Sequence, residues 1–249
     1  NDITIYDNFL VSNLQSYYYV YIWLDGYLTD NTHADLPFGG YITANAIQDE
    51  DASNYYFVEY IESTGTQYLD TGYIPKINTK MELSLSFDGE FKGINTYGGG
   101  EVIFKAKGSN MHQINFGGSQ DQWNKLFIWI NPNVKVGSTE TIAINENILR
   151  NKNILSLQTS SISYGTVSRE LSPKVSDSTE SMILFGSANV PFTCYNMLVY
   201  DLKFYENNNL VRHYVPCYRK SDSVRGMYDI VNGGFYTNAG DGTFKIPGE

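Results

Sequence analysis

From residue 55 onward, apolar and polar side chains alternate in short bursts, and this periodicity of two points to antiparallel sheet. The clearest burst is residues 81–87. Met81, Leu83, Leu85 and Phe87 share one side, and Glu82, Ser84 and Ser86 share the other. Such alternation marks a strand with one buried and one wetted face. Further strands are read at residues 102–104, 113–116, 126–130, 141–144, 154–157, 181–185 and 197–205. Turn residues separate them about every ten positions, and no helical pattern outlasts two turns. Many short strands at regular spacing predict an all-β sandwich or jelly roll.

The two ends of the chain carry their own signals. Near the C-terminus, Asn232-Gly233 is flanked by Met227, Ile230 and Val231 on one side and by Phe235 and Tyr236 on the other. That arrangement predicts a hairpin with a type I′ turn, which needs positive φ at both central residues. A second turn follows at residues 238–242, then a short run at 243–246. At the other end, residues 3–6, 17–24 and 38–47 read as strands, and the acidic, polar stretch 48–54 reads as a linker. The expected organisation is a small β-strand unit over residues 1–50 and a larger domain over 51–249. Three strands are about the minimum for independent stability. The small unit is therefore expected to lean on the larger domain or to be the C-terminal part of an incomplete sandwich. An open sheet edge of that kind invites strand addition from a neighbour.

Three blocks carry a family resemblance. Val58-Glu59-Tyr60-Ile61-Glu62-Ser63-Thr64-Gly65-Thr66-Gln67-Tyr68-Leu69-Asp70-Thr71-Gly72 resembles the opening of laminin-G-like, concanavalin-A-type jelly rolls (the lectin–glucanase fold) of Gram-positive bacterial surface and phage proteins. Tyr200-Asp201-Leu202-Lys203-Phe204-Tyr205, Leu210-Val211-Arg212 and Val215-Pro216-Cys217 resemble their penultimate strands. Phe235-Tyr236-Thr237-Asn238-Ala239-Gly240 resembles their end. These blocks bracket residues 55–249. The resemblance implies a concanavalin-A-like jelly-roll sandwich preceded by the small unit. First and last strands commonly lie side by side in a jelly roll. Residues 235–238 or 243–246 are thus expected to pair with the strand around 57–61. Within the small unit, Val20-Tyr21-Ile22-Trp23-Leu24-Asp25-Gly26 and Phe38-Gly39-Gly40-Tyr41-Ile42 resemble camelysin-like biofilm-matrix sandwiches.

Composition narrows the partners. Net charge is −10 and charged residues make up 18%, below the usual share of about 25%. An acidic chain argues against nucleic acid or anionic lipid as partner, and no apolar run is long enough to insert into a bilayer. The chain opens on Asn1 rather than Met, without a signal peptide, so a processed product or excised fragment is expected. Cys194 and Cys217 are read as two buried thiols, with a disulfide as the alternative.

Catalytic patterns are thin. Leu69-Asp70-Thr71-Gly72 matches the aspartic-protease signature, but that chemistry needs two such aspartates sharing a proton and only one copy is present. In the plainer reading, Asp70 and Gly72 end a strand. A retaining glycosidase needs two carboxylates about 5 Å apart, and no strand carries the Glu-x-Asp-x-x-Glu spacing that would supply them. Asp88-Gly89-Glu90 comes nearest and reads as a solvated turn. His33, His112 and His213 are scattered without zinc-site spacing. No Ser sits in a nucleophile elbow, and Gly98-Gly99-Gly100 lacks the helix and Lys of a phosphate loop. The chain reads as no enzyme.

Sugar recognition uses aromatic faces and side-chain amides or carboxylates. On that basis Tyr97, Asn115, Asp121, Trp123 and Asn189 are ligand candidates. Laminin-G-like modules often hold calcium at a loop rim, and Asp88, Asp121 and Asp177 are its candidates. The expected role is an extracellular, cell-surface or virion-surface module. Its partner would be a glycan or host surface glycoprotein, with self-association through the N-terminal strands. A structural subunit of a filament, biofilm matrix or phage particle is the alternative, and a glycoside hydrolase ranks third.

Overall fold

The computed structural model divides the chain into two compact units, Asn1–Asp49 and Glu50–Glu249. It describes residues 51–88, 101–106, 112–116, 125–130, 139–143, 146–171, 177–186 and 194–249. The strands expected within residues 1–50 lie outside the described residues. In chain order the elements are β1 (Tyr55–Phe57), β2 (Ile61–Thr64), β3 (Leu69–Asp70), β4 (Thr79–Phe87), β5 (Glu101–Ala106), β6 (His112–Phe116), β7 (Lys125–Ile130) and β8 (Thr139–Ala143), then one short helix α1 (Glu146–Arg150). They continue with β9 (Asn153–Gln158), β10 (Ser161–Tyr164), β11 (Val167–Glu170), β12 (Met182–Leu184), β13 (Tyr195–Glu206), β14 (Asn209–Arg219), β15 (Arg225–Asp229) and β16 (Phe235–Thr237).

The described pairings are all antiparallel and form two sheets. The first runs β11-β10-β9-β4-β13-β14-β15-β16, with β1 added to β14 and β2 added to β13. The second runs β3-β12-β5-β6-β7-β8. A single hydrophobic cluster draws on both: Leu83, Leu85, Val199 and Phe204 from the first, and Leu69, Phe104, Ile114 and Leu184 from the second. Met81, Leu83, Leu85 and Phe87 enter this core as the alternation at 81–87 predicts, but Ser84 and Ser86, read on the wetted side, are buried as well, because β4 lies inside the sheet between β9 and β13. The sheets therefore share one apolar interior, as period-two strands require.

The first sheet is organised by a fork. β13 runs along β4 on one edge for nearly its whole length. On its other edge, Leu202–Glu206 pair with β14, while Tyr195–Val199 pair with β2. β14 leaves β13 after Tyr214, and its last residues, Cys217–Arg219, pair with β1. Residues 55–64 thus fill the gap where the two long strands diverge. Pro216 sits at the branch point. Its carbonyl accepts from Val58 N at 3.0 Å, and the N–H it lacks would fall on that same edge, where β13 no longer needs a donor.

The C-terminal segment completes the closure. Glu62 and Lys245 exchange reciprocal backbone hydrogen bonds, both 2.9 Å. The expected pairing of 243–246 with the opening segment is therefore present, one residue beyond Ile61. The other expected form is not: β16 pairs with β15. Phe244 is fully buried, with its ring 4.9 Å from that of Phe185.

The closing hairpin exists, but its turn differs from the expected one. Positive φ falls at Gly233 (69°) and Gly234 (123°) rather than at Asn232 and Gly233. The loop is longer than two residues, because the buried carboxylate of Asp229 organises it. Asp229 Oδ1 accepts from His213 N at 3.0 Å and Val231 N at 3.1 Å, and Oδ2 accepts from Asn232 Nδ2 at 3.2 Å. Arg212 stands 3.4 Å from the same carboxylate. A two-residue turn with positive φ at both positions occurs instead at Asn207 (49°) and Asn208 (67°), between β13 and β14. Cys194 and Cys217 are both buried, and neither is in a disulfide. Asp70 ends β3 and accepts from Gly72 N at 2.9 Å, as the plainer reading of that motif holds.

Two measurements test this packing. Phe244→Ala should cost about 3–5 kcal/mol in chemical denaturation, the usual penalty for emptying a buried aromatic site. His213 is 4% exposed, and burial, helped by Lys203, pushes its pKa down from 6.5 to about 4. The unfolded chain therefore takes up this proton first. The stability involved is present above the unfolded value of 6.5 and is lost as pH falls toward 4. That loss reaches about 3 kcal/mol. His213→Gln should flatten the pH dependence of urea unfolding across this window.

Candidate functional site

The register of the second sheet sorts its residues onto two faces. Leu184, Phe104 and Ile114 lie opposite one another across β12, β5 and β6, and all three belong to the core. The neighbouring register row must then fall on the outer face. It crosses every strand of the sheet: Asp70, Ile183, Lys105, Gln113, Trp129 and Thr139. A second outer row holds Val102, Asn115, Phe127 and Thr141. The bulge in β5 between Val102 and Phe104 keeps both rows in step with the sheet. By backbone register, Gln113, Asn115, Phe127, Trp129, Thr139 and Thr141 thereby occupy two neighbouring rows across three adjacent strands.

Lys105 lies at the inner end of that collection. It is half-buried, and burial pushes its ammonium below the ordinary lysine range. It makes no ion pair with any described residue. Beside it Ile183 is 1% exposed although it stands apart from the core cluster, so this end of the face is covered rather than open.

The outer face of the first sheet contrasts with this one, because its charges are spent on each other. Lys203 Nζ lies 3.6 Å from Asp201, and Lys80 Nζ lies 2.5 Å from Glu82. Tyr205 OH donates to Glu82 at 3.1 Å. Burial raises the Asp201 carboxyl pKa, against the pull of Lys203. At the β13 bulge, the Tyr200 ring takes Lys152 Nζ at 4.5 Å, and its hydroxyl is 3.0 Å from Ser86 Oγ. Toward β15 and β16 the rings of Tyr55, Phe57, Tyr228 and Phe235 cover the surface with one another.

Of the ligand candidates read from sequence, Asn115 lies on β6, in backbone register with Val102 of β5 and Phe127 of β7. Tyr97, Asp121, Trp123 and Asn189 lie outside the described residues. Among the calcium candidates, Asp121 is likewise outside them. Asp177 accepts from Ile77 N at 2.6 Å, just before β4 begins, and Asp88 follows its last residue. The nine residues of β4 span about 30 Å, so one ion cannot bind both. No group of three or more His, Cys, Asp or Glu among the described residues is arranged to hold a metal. A cavity of about 10 Å³ between Pro75, Met81 and Phe204 has room for no more than a water molecule.

Sequence reasoning passed over Lys105, Gln113, Phe127 and Trp129, though their signal was there. In residues 126–130, Leu126, Ile128 and Ile130 alternate with Phe127 and Trp129. Aliphatic residues on one face and aromatics on the other read as core against exposed surface. Gln113 and Asn115 alternate with Ile114 in the same way. Compared with known proteins, the chain matches no family model, no curated protein and no solved structure.

A half-buried ammonium without a counter-charge is a cost to the fold. Lys105→Met should therefore raise the urea midpoint, by about 1 kcal/mol of stability. An unchanged or lowered midpoint would mean that the charge is compensated.

Proposed function

We propose that residues 51–249 form a concanavalin-A-like jelly roll that binds carbohydrate without catalysis, and that the outer face of its second sheet is the binding surface. The observation that carries this reading is the convergence of Gln113, Asn115, Phe127, Trp129, Thr139 and Thr141 on one face by register. Aromatic residues offer flat apolar surface to pyranose rings, and amides and hydroxyls bond to their edges. A rigid sheet holds such residues with less ordering cost on binding than a loop would. The two-sheet architecture with a common core supports the jelly-roll assignment. A sugar-binding domain of this kind belongs on an extracellular, cellular or virion surface, where the partner is a glycan or a surface glycoprotein.

The test is a glycan array probed with the full chain, with and without calcium. Binding is expected to at least one oligosaccharide class. Trp129→Ala should weaken it about tenfold or more, in line with the loss of a central aromatic contact, with the melting temperature little changed. No glycan bound at millimolar concentration would sink the reading. Concentration-dependent polymers in place of glycan binding would favour a structural subunit.

A further inference from the structure

The loop between β15 and β16 carries the only Asn-Gly pair of the chain, Asn232-Gly233. Asn232 and Gly234 are exposed and Gly233 is half-buried, so water reaches the loop. Gly233 and Gly234 both take positive φ, 69° and 123°. After an asparagine, glycine is the residue that most readily lets its own main-chain nitrogen approach the asparagine side-chain carbonyl, because no Cβ stands in the way and the backbone is least restricted. The next loop offers a contrast. Asn238 is followed by Ala239, and its amide is spent on the carbonyls of Gly240, Asp241 and Gly242, at 3.2, 3.2 and 2.9 Å.

Asn232 also fastens the hairpin. Its Nδ2 donates to Val211 O on β14 at 2.6 Å and to Asp229 Oδ2 at 3.2 Å. The Asp229 side chain is fully buried, and Arg212 is the one cation within ion-pair distance of it, at 3.4 Å. An amide nitrogen can serve both acceptors because it carries two N–H donors, whereas an ionised carboxylate carries none. An oxygen in the place of Nδ2 would face the Val211 carbonyl and the buried Asp229 carboxylate, and neither can donate to it. Two acceptors would lose a donor, two carboxylates would stand side by side, and one guanidinium would have to serve both.

We infer that Asn232 is a site of spontaneous deamidation, and that its conversion unfastens the closing hairpin from β14. The main-chain nitrogen of Gly233 attacks Cγ of Asn232. A new C–N bond closes a cyclic imide, the Cγ–Nδ2 bond breaks, and the amide group leaves as ammonia with the proton that Gly233 N gives up. Water then opens the imide, adding OH to one carbonyl carbon and H to the ring nitrogen. Opening at Cγ gives aspartate; opening at the main-chain carbonyl gives isoaspartate. Nothing is oxidised or reduced, and solvent water is the only co-reactant. The two hydrogen bonds of Nδ2 must open first, so the folded chain converts more slowly than the unfolded one. This modification is independent of carbohydrate binding and does not rest on it.

The experiment incubates the folded full chain for weeks in mildly alkaline buffer and maps its asparagines by peptide mass spectrometry. The peptide holding Asn232 should gain the mass of an amide-to-acid exchange, as a mixture of aspartate and isoaspartate, while Asn238 stays unchanged. Urea unfolding of two variants reads the consequence. Asn232→Ala removes the two donors, and Asn232→Asp removes them and adds the charge, so the Asp variant should have the lower midpoint. Should that variant fold poorly, the aged chain itself is separated by its added negative charge and followed by deuterium exchange. The Asp229 amide, which donates to Gly234 O at 2.9 Å, should then exchange faster than in fresh protein. No mass gain at Asn232 would overturn the site. An Asp variant as stable as the Ala variant, or unchanged exchange at Asp229 in the aged chain, would overturn the unfastening.

Discussion

The fold depends on how the gap between β13 and β14 is filled. These are the two longest strands, and they are joined by the tight Asn207-Asn208 turn. They stay paired only from Leu202 to Glu206 and from Asn209 to Tyr214. Beyond that they separate, and each would show an unpaired edge inside the domain, which a buried backbone does not tolerate. Residues 55–64 answer this by serving both strands in turn, β1 on β14 and β2 on β13. Lys245 then caps the far edge of β2. The register of β13 also sets that of β4 and, through β4, that of β9. Errors at the fork would propagate across the first sheet.

Strand existence was largely legible because period two is a local property. Residues 81–87, 102–104, 113–116, 126–130 and 197–205 all fall on observed strands, but alternation did not foresee that Ser84, Ser86 and the adjacent pair Ile103 and Phe104 are all buried. The pairing of the opening and closing segments was legible only through the family resemblance, since nothing local in Glu62 or Lys245 signals a partner so far along the chain. The turn at Asn232 was misread for a related reason. Asn-Gly satisfies the local rule for a type I′ turn, but the carboxylate of Asp229, buried among groups from β14 and the loop, imposes a longer path. Strands β10 and β11 went unread because their alternating residues are few, with Ile162 and Tyr164 the only large buried pair.

The candidate face was half legible. Asn115 was named for its side-chain chemistry and lies on the strand read at 113–116. Its companions Gln113, Phe127 and Trp129 become a group only when β6 and β7 are set in register. Alternation says which residues share a face within one strand; it does not say which strands are neighbours. The contrast between the two outer faces is likewise a property of pairing. Lys80 and Lys203 find carboxylates on the first sheet, and Lys105 on the second finds none among the described residues.

The Glu62–Lys245 bridge has a mechanical side. The paired segments run antiparallel, so the chain leaving Glu62 toward β1 and the chain leaving Lys245 toward Glu249 depart in the same direction. Tension applied between those two exits would load the bridge in an unzipping geometry, one hydrogen bond at a time, rather than shearing several at once. Under load, the closure around Phe244 would yield before the long β4–β13 ladder, whose bonds share the force.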